Sequence, residues 1–137
     1  GVPEGGLDPV GGTGFDFTSP KAIGKGIEEL TNGHLGFDDF YVLDREREDN
    51  LISVLYSEKT GRVMNTYTDM QSAIIYTPLN CAGKHPDKSV DVLPDYAAVC
   101  IECQFVPNAA NVPEYDSPVF RAGEKLVTET VYEFAVR

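Results

Sequence analysis

One carboxylate stands in the middle of an apolar segment, and its position makes it a candidate for acid–base chemistry. The segment is AAVCIECQF, residues 97–105, and the carboxylate is Glu102. Strand alternation places Glu102 on the opposite face from Ile101 and Cys103. A carboxylate in a binding site can act as a general base, whereas one that faces water is simply solvated. The strand pattern alone favours the solvated side chain.

Two other groups of residues could do chemistry. The adjacent acids Asp38 and Asp39 stand at the head of an aromatic-rich stretch, GFDDFYVLD at 36–44. Their sequence context fits a turn or a cap, and the simplest interpretation is that both are solvated. The two histidines, His34 and His85, lie in loop-like sequence, where we expect exposed imidazoles.

The three cysteines carry no clear redox or zinc signature. Cys81, Cys100 and Cys103 form an odd set without zinc-like spacing. A strand places Cys100 and Cys103 on opposite faces, which disfavours a disulfide between them. We predict buried free thiols in a reducing compartment. The sequence also has no N-x-S/T sequon, so a cytoplasmic location is the expectation.

Length and charge narrow the class of protein. The 137 residues are enough for one domain, and 42% hydrophobic with 24% charged residues is ordinary for a globular protein. The formal net charge of −11 argues against nucleic acid and anionic membranes as partners. No stretch approaches the roughly 20 apolar residues that a membrane-spanning helix needs.

The hydrophobic pattern indicates many short strands and little helix. FDF at 15–17 is a short strand or an apolar anchor, and a helix is predicted over 21–30, ended by Asn32-Gly33. Loops are predicted at 80–95 and 107–118. Strands are predicted at 36–44, 51–57, 62–69, 72–77, 97–105 and 125–137. This pattern is typical of an all-β sandwich or barrel.

An ordered series of short segments covers nearly the whole chain. The segments are PVGGTGFDF at 9–17, GFD at 36–38, TGRVM at 60–64, YT at 76–77, CIECQ at 100–104, FVPNAANVP at 105–113, GE at 123–124 and YEF at 132–134. In this order and spacing, the series resembles the aldose 1-epimerase (galactose mutarotase) family. Each segment by itself is weak evidence for the resemblance, whereas the ordered set is specific to this family.

The resemblance implies an all-β, galactose mutarotase-like β-sandwich that interconverts the α and β anomers of hexoses such as galactose or glucose. The family opens the pyranose ring, rotates about C1–C2 and closes the ring again. A glutamate takes the proton of the C1 hydroxyl, and a histidine gives one to the ring oxygen. By residue-level match, Glu102 is the catalytic general base and Asp38 contacts a sugar hydroxyl. No metal or organic cofactor is implied.

Several family features are changed or missing. The family's Asp-His-Asn is Asp38-Asp39-Phe40 here, and Ile74 replaces a glutamine. The family's two histidines and its arginine lie in an N-terminal half without a counterpart in this sequence, so no general acid is assigned. We therefore expect residues 1–137 to be the C-terminal part of a β-sandwich domain, completed by another polypeptide that carries the missing half.

Two further functions stay open. The first is a catalytically inactive sugar-binding or regulatory module, and the second is a hexose-6-phosphate 1-epimerase. The acidic character of the chain weighs against a phosphate substrate, although the missing half could supply cations. Replacing Glu102 with glutamine distinguishes an enzyme from a binding module, because it lowers the mutarotation rate only if the protein is an enzyme.

Overall fold

The computed structural model describes residues 6–31, 33–44, 48–79 and 94–137. Within these ranges the regular structure consists mostly of strands, with one short helix, α1, and a single 3₁₀ turn at Ala109–Asn111. The helix is Ile23–Glu29, and the strands are β1 Asp38–Val42, β2 Leu51–Tyr56, β3 Arg62–Thr68, β4 Ser72–Tyr76, β5 Cys100–Gln104 and β6 Thr130–Val136. Cys81, His85 and most of the loop predicted at 80–95 lie outside the described residues.

The strands form two three-stranded sheets, with the orders β1-β4-β5 and β2-β3-β6. β3 pairs antiparallel with both of its neighbours, and the β2–β3 register shifts between Leu51 and Ser53. At the ends of the β1–β4 pair, the Leu43 N–H donates to the Gln71 carbonyl at 2.9 Å. The predicted all-β fold is therefore confirmed, together with the short helix.

The chain divides into two compact units, and buried side chains occur in each. The described part of one unit is 40–44, 48–74 and 102–137, where Val63, Ala73, Val106 and Ala109 are buried. The described part of the other is 6–39, 75–79 and 94–101, where Phe37 and Ile101 are buried.

The FDF segment is an apolar anchor rather than a strand. The rings of Phe15 and Phe17 pack edge-on against Phe37, with centroid distances of 5.8 and 5.4 Å. Helix α1 approaches the same cluster through Gly26, where an added Cβ would lie 2.8 Å from Phe17. Only glycine permits this close approach, because any side chain at position 26 would displace an aromatic ring.

Strand β5 begins at Cys100, three residues later than predicted. Before it, the Ala97 N–H donates to the Pro94 carbonyl at 3.2 Å, and Tyr96 has a left-handed φ of 59°. The chain turns here, so the apolar residues that follow the turn cannot join the sheet until Cys100.

Strand β6 also begins late, at Thr130 rather than near 125. At Glu129 the backbone pairing is only partial, because its carbonyl accepts the Asp69 main-chain N–H at 3.3 Å whereas its own N–H donates to the side-chain atom Asp69 Oδ1 at 3.0 Å. All seven residues of β6 are exposed, and Phe134 and Val136 each show 75% of their surface. This strand therefore presents apolar side chains to solvent.

A search of the described residues finds no helix with the length and hydropathy needed to cross a membrane.

Candidate active site

Asp38 opens strand β1 directly after a firmly held residue. Phe37 is 1% exposed and packs within the aromatic cluster. Thr77 binds both backbone polar groups of Phe37. Its Oγ1 accepts the Phe37 N–H at 2.8 Å, and its main-chain N–H donates to the Phe37 carbonyl at 2.9 Å. Asp38 itself is exposed. A fixed backbone thus carries a carboxylate that solvent, or a sugar hydroxyl, can reach.

Asp39 is not simply solvated, which corrects the simplest interpretation of the acid pair. Its side chain is 29% exposed, and its Oδ2 accepts the main-chain N–H of Asp38 at 3.1 Å. The same oxygen lies 3.9 Å from His34 Nδ1. His34 is exposed, as predicted, yet its ring also meets Phe15 edge-on at 5.6 Å. Sequence pattern gave no signal for this contact, because His34 and Asp39 belong to different local segments.

Glu102 lies in the middle of strand β5, and its side chain is exposed. The neighbouring Ile101 is 7% exposed, so the two residues point to opposite sides of the strand, as alternation predicts. Further along, the buried Ser72 donates its hydroxyl to the Gln104 carbonyl at 2.8 Å. The strand that carries Glu102 is therefore anchored on both sides of a carboxylate that stays accessible.

The pKa of the Tyr132 phenol, on β6, is raised in part by Glu102 and its neighbour Cys103. Burial is the first cause that raises the pKa of the Tyr132 phenol, followed by the Cys103 side chain and then by the negative charge of Glu102. The charge of Glu102 acts in this direction because a nearby carboxylate disfavours the phenolate. Cys100 and Cys103 are free thiols, as predicted, but both are half-buried rather than buried.

The segment after β5 folds back as a compact turn. Val106 is 2% exposed and Ala109 is 4% exposed, which fixes two points of the segment. Asn108 has a left-handed φ of 64°, and its side-chain oxygen accepts from Asn111 Nδ2 at 2.7 Å. The predicted loop at 107–118 thus contains the 3₁₀ turn, and it holds the chain that leaves the Glu102 strand.

Both predicted site residues are exposed carboxylates on anchored strands. Asp38 belongs to the unit of residues 6–39, and Glu102 belongs to the unit of residues 40–74 and 102–137. Each can accept hydrogen bonds from hydroxyl groups, and a carboxylate can also accept a proton. Ile74, where the resemblance expects a glutamine, is half-buried on β4. Its apolar side chain supplies no polar group to a ligand.

Comparison with known proteins gives the family. The family model described as aldose 1-epimerase matches residues 1–133. The match covers almost the entire chain, including the segments that carry Asp38 and Glu102. The chain belongs to the aldose 1-epimerase family.

Relatives from animals and bacteria carry this family's names. A galactose mutarotase of Sus scrofa is 32% identical over 136 residues, which is 98% of this chain and 39% of the relative. A maltose epimerase of Levilactobacillus brevis is 26% identical over 135 residues, covering 97% of this chain and 38% of the relative. An aldose 1-epimerase of Escherichia coli is 27% identical over 139 residues, with coverages of 98% and 40%.

A solved structure gives the same result for the fold. The crystal structure of a GalM/aldose epimerase homologue from Caenorhabditis elegans superimposes with a TM-score of 0.82 at 26% identity. The match covers 98% of this chain and 40% of that one. The predicted mutarotase-like β-sandwich is therefore confirmed as the fold type, and the chain spans about two-fifths of the length of the relatives it matches.

Proposed function

We propose that this chain supplies the general base of an aldose 1-epimerase that interconverts the α and β anomers of a hexose. The observation that carries the proposal is the setting of Glu102. It is an exposed carboxylate on a strand anchored by Ile101 and Ser72, inside a chain that matches the family model. General-base catalysis at a sugar hydroxyl needs an accessible carboxylate, and here the strand that carries it is anchored.

The proposed reaction has two proton transfers in ring opening and the same two, reversed, in ring closure. Glu102 removes the proton of the C1 hydroxyl as the C1–O5 bond breaks, and an acid from outside this chain protonates O5. The open aldehyde rotates about C1–C2. The O5 hydroxyl then attacks C1 from the other face, its proton returns to the deprotonated form of that acid, and Glu102 gives its proton to the aldehyde oxygen, which becomes the new C1 hydroxyl. Galactose is the proposed substrate, because relatives of this chain are named galactose mutarotase.

Asp38 is the proposed sugar-binding residue. Its carboxylate is exposed, and the Phe37–Thr77 hydrogen bonds hold the backbone immediately before it. A carboxylate on a fixed backbone loses less conformational freedom when it accepts a hydrogen bond from a sugar hydroxyl than one on a mobile backbone. Asp38 therefore contributes to binding, while the proton transfers are assigned to Glu102.

We also propose that a second polypeptide segment, carrying the remaining strands and a histidine acid, completes the domain. Residues 1–137 then form its C-terminal part. Support comes from the length of the relatives, of which the chain spans 39%, and from the apolar surface of β6. Phe134 and Val136 are each 75% exposed, and side chains of this kind favour burial against a partner. A cytoplasmic location is proposed from the free thiols and the missing sequon.

The test compares three proteins in galactose mutarotation followed by polarimetry. We expect Glu102→Gln to lower kcat by at least about 100-fold, in line with the loss of a general base, while galactose binding persists. Glu58→Gln is the matched control, because Glu58 is exposed in the β2–β3 turn. A wild-type rate equal to that of Glu102→Gln, with sugar binding retained in both, would identify an inactive sugar-binding module instead.

A further inference from the structure

The carboxylate of Asp39 connects a loop histidine to the backbone of Asp38. Its Oδ2 accepts the Asp38 main-chain N–H at 3.1 Å, within the range of a normal hydrogen bond. The same Oδ2 lies 3.9 Å from His34 Nδ1, a distance that allows an ion pair when the imidazole is protonated. One oxygen atom therefore contacts both groups.

His34 is itself held in place by an aromatic contact. Its ring meets Phe15 at a centroid distance of 5.6 Å and an interplanar angle of 83°, an edge-to-face arrangement. Phe15 also contacts Phe37, the residue before Asp38, at 5.8 Å. The main-chain N–H of His34 donates to the Thr31 carbonyl at 3.3 Å. The imidazole thus lies on the same aromatic cluster that anchors the start of β1.

These contacts leave little freedom to the backbone of Asp38. Thr77 binds the N–H and the carbonyl of the preceding Phe37, and Asp39 binds the N–H of Asp38 itself. A backbone fixed at two successive residues sets the direction in which the Asp38 side chain leaves the strand. Because a displacement of about 1 Å in a binding group can cost a large part of its effect, this direction matters.

His34 can also affect Asp39 through its charge. The Oδ2 atom of Asp39 carries negative charge at the hydrogen bond to the Asp38 N–H, and His34 Nδ1 lies 3.9 Å from that same atom. The described groups that face His34 are the Asp39 carboxylate and the uncharged ring of Phe15. A protonated His34 therefore offsets the negative charge of Asp39. The offset is modest, because both side chains are partly exposed, at 39% for His34 and 29% for Asp39.

We propose that Asp39, supported by His34, is a positioning residue that orients Asp38 toward the sugar. The inference rests on the proposed role of Asp38 as the sugar contact. The matching family motif has histidine at the position of Asp39, so this chain would orient Asp38 with a carboxylate and a histidine from the preceding loop. Asp39 touches the Asp38 backbone and needs no contact with substrate.

The first measurement needs no mutation. In the labelled wild-type protein, we expect a scalar coupling across the hydrogen bond between the Asp38 amide nitrogen and the Asp39 carboxylate carbon. The two nuclei are too far apart along the covalent chain to couple otherwise. A resolved Asp38 amide without this coupling overturns the proposal, whatever the variants do.

The variants then test positioning. Asp39→Ala removes the acceptor, so we expect an upfield move of the Asp38 amide proton and a rise of about tenfold in the KM for galactose, with kcat within twofold. Asp39→Asn keeps an acceptor oxygen and should restore most of both. His34→Phe retains the contact with Phe15 without the imidazole, and a KM rise of about twofold is expected for it. Asp8→Ala, an exposed acid remote in sequence, is the control.

Failure of the inference differs from failure of the proposed function. An unchanged Asp38 amide and KM in Asp39→Ala overturn the positioning role. If Asp38→Ala leaves the KM unchanged, Asp38 is not the sugar contact, and the substrate part of the proposal falls even where the hydrogen bond is observed. If the Asn variant behaves like the Ala variant, the charge of Asp39 rather than its hydrogen bond acts on Asp38, which also contradicts the account.

Discussion

At the scale of single residues, the proposed role of Asp38 is sugar binding and that of Glu102 is proton transfer. Asp38 is exposed and rigidly mounted, and Glu102 is exposed in the middle of a separate strand. The two carboxylates are chemically alike, so their proposed roles differ through what surrounds them. The main-chain N–H of Asp38 donates to the neighbouring Asp39 carboxylate. Glu102 instead lies next to the half-buried Cys103, and its negative charge contributes to the raised pKa of Tyr132.

Asp38→Asn tests the binding role. The amide keeps the size of the side chain but loses the charge, so hydrogen bonds from sugar hydroxyls become weaker. We expect the KM for galactose to rise about tenfold, corresponding to about 1.4 kcal/mol, with kcat changed by less than threefold. Steady-state mutarotation gives both parameters. A fall in kcat at constant KM would instead place Asp38 in the chemical step.

Tyr132 reports on the charge of Glu102. Because that carboxylate raises the pKa of the Tyr132 phenol, Glu102→Gln should lower the pKa toward the usual value of about 10. Burial and Cys103 remain in the variant, so the pKa should stay above that value. A titration of the tyrosine ring carbons by NMR measures the change. Glu58→Gln should leave Tyr132 unaffected; an equal shift in both variants would show that the charge acts from a distance.

At the scale of elements, the start of β1 depends on a single threonine. Thr77 is 1% exposed, and its hydroxyl accepts the N–H of Phe37, which is equally buried. Thr77→Val removes this acceptor and leaves the N–H without a partner. We expect a loss of about 1–3 kcal/mol in the free energy of unfolding, measured by urea denaturation. Thr128→Val is the control, since Thr128 is exposed. Equal stability of the two variants would contradict the anchor.

The loop before α1 should give the protein an acid-dependent stability. Asp16 accepts the Thr18 hydroxyl at 2.6 Å and the Thr18 N–H at 3.1 Å, and these bonds lower the pKa of its carboxyl. A lowered folded-state pKa adds stability above the usual aspartate value of about 3.9, and this stability disappears as the pH falls through the lowered pKa.

Asp16→Asn should therefore make the stability of the protein less dependent on pH in the acidic range. The melting temperature of the wild type should fall more steeply than that of the variant when the pH drops below about 4. Near neutral pH the variant should be the less stable protein. Parallel curves for the two proteins would show that Asp16 contributes nothing through its charge.

Sequence pattern predicted most strands because apolar and polar residues alternate along them. It placed Glu102 and Ile101 on opposite faces correctly, and it predicted the helix within two residues at its start and one at its end. The larger errors, at β5 and β6, lie at strand starts. The left-handed Tyr96 and the Asp69–Glu129 hydrogen bond both delay a strand, and each depends on a conformation or a distant partner that alternation does not contain.

The site was predictable only in part for the same reason. Glu102 and Asp38 came from an ordered set of motifs, and their exposure agrees with an accessible site. The His34–Asp39 contact joins residues whose types gave no hint of pairing, and the Phe15 ring that holds His34 comes from another segment. Contacts of this kind follow from the fold rather than from local composition.

At the scale of the whole molecule, the matched length and the exposed strand β6 bear on the proposed second segment. It spans about two-fifths of its relatives, and β6 exposes its apolar side chains. Exposed apolar residues on a sheet edge favour association with other strands. The proposed second segment would cover this surface and bring the acid that the reaction requires. Activity should therefore depend on more than the present chain.

The most direct test follows mutarotase activity and native mass together across a size-exclusion column, using the protein purified without denaturant. The account predicts that galactose mutarotation coincides with a species containing this chain and a second, different polypeptide. It also predicts that Glu102→Gln abolishes the activity of that same species. Activity that coincides with this chain alone, or with multiples of it, would contradict the proposed second segment. A complete two-polypeptide species without activity would contradict the enzyme itself.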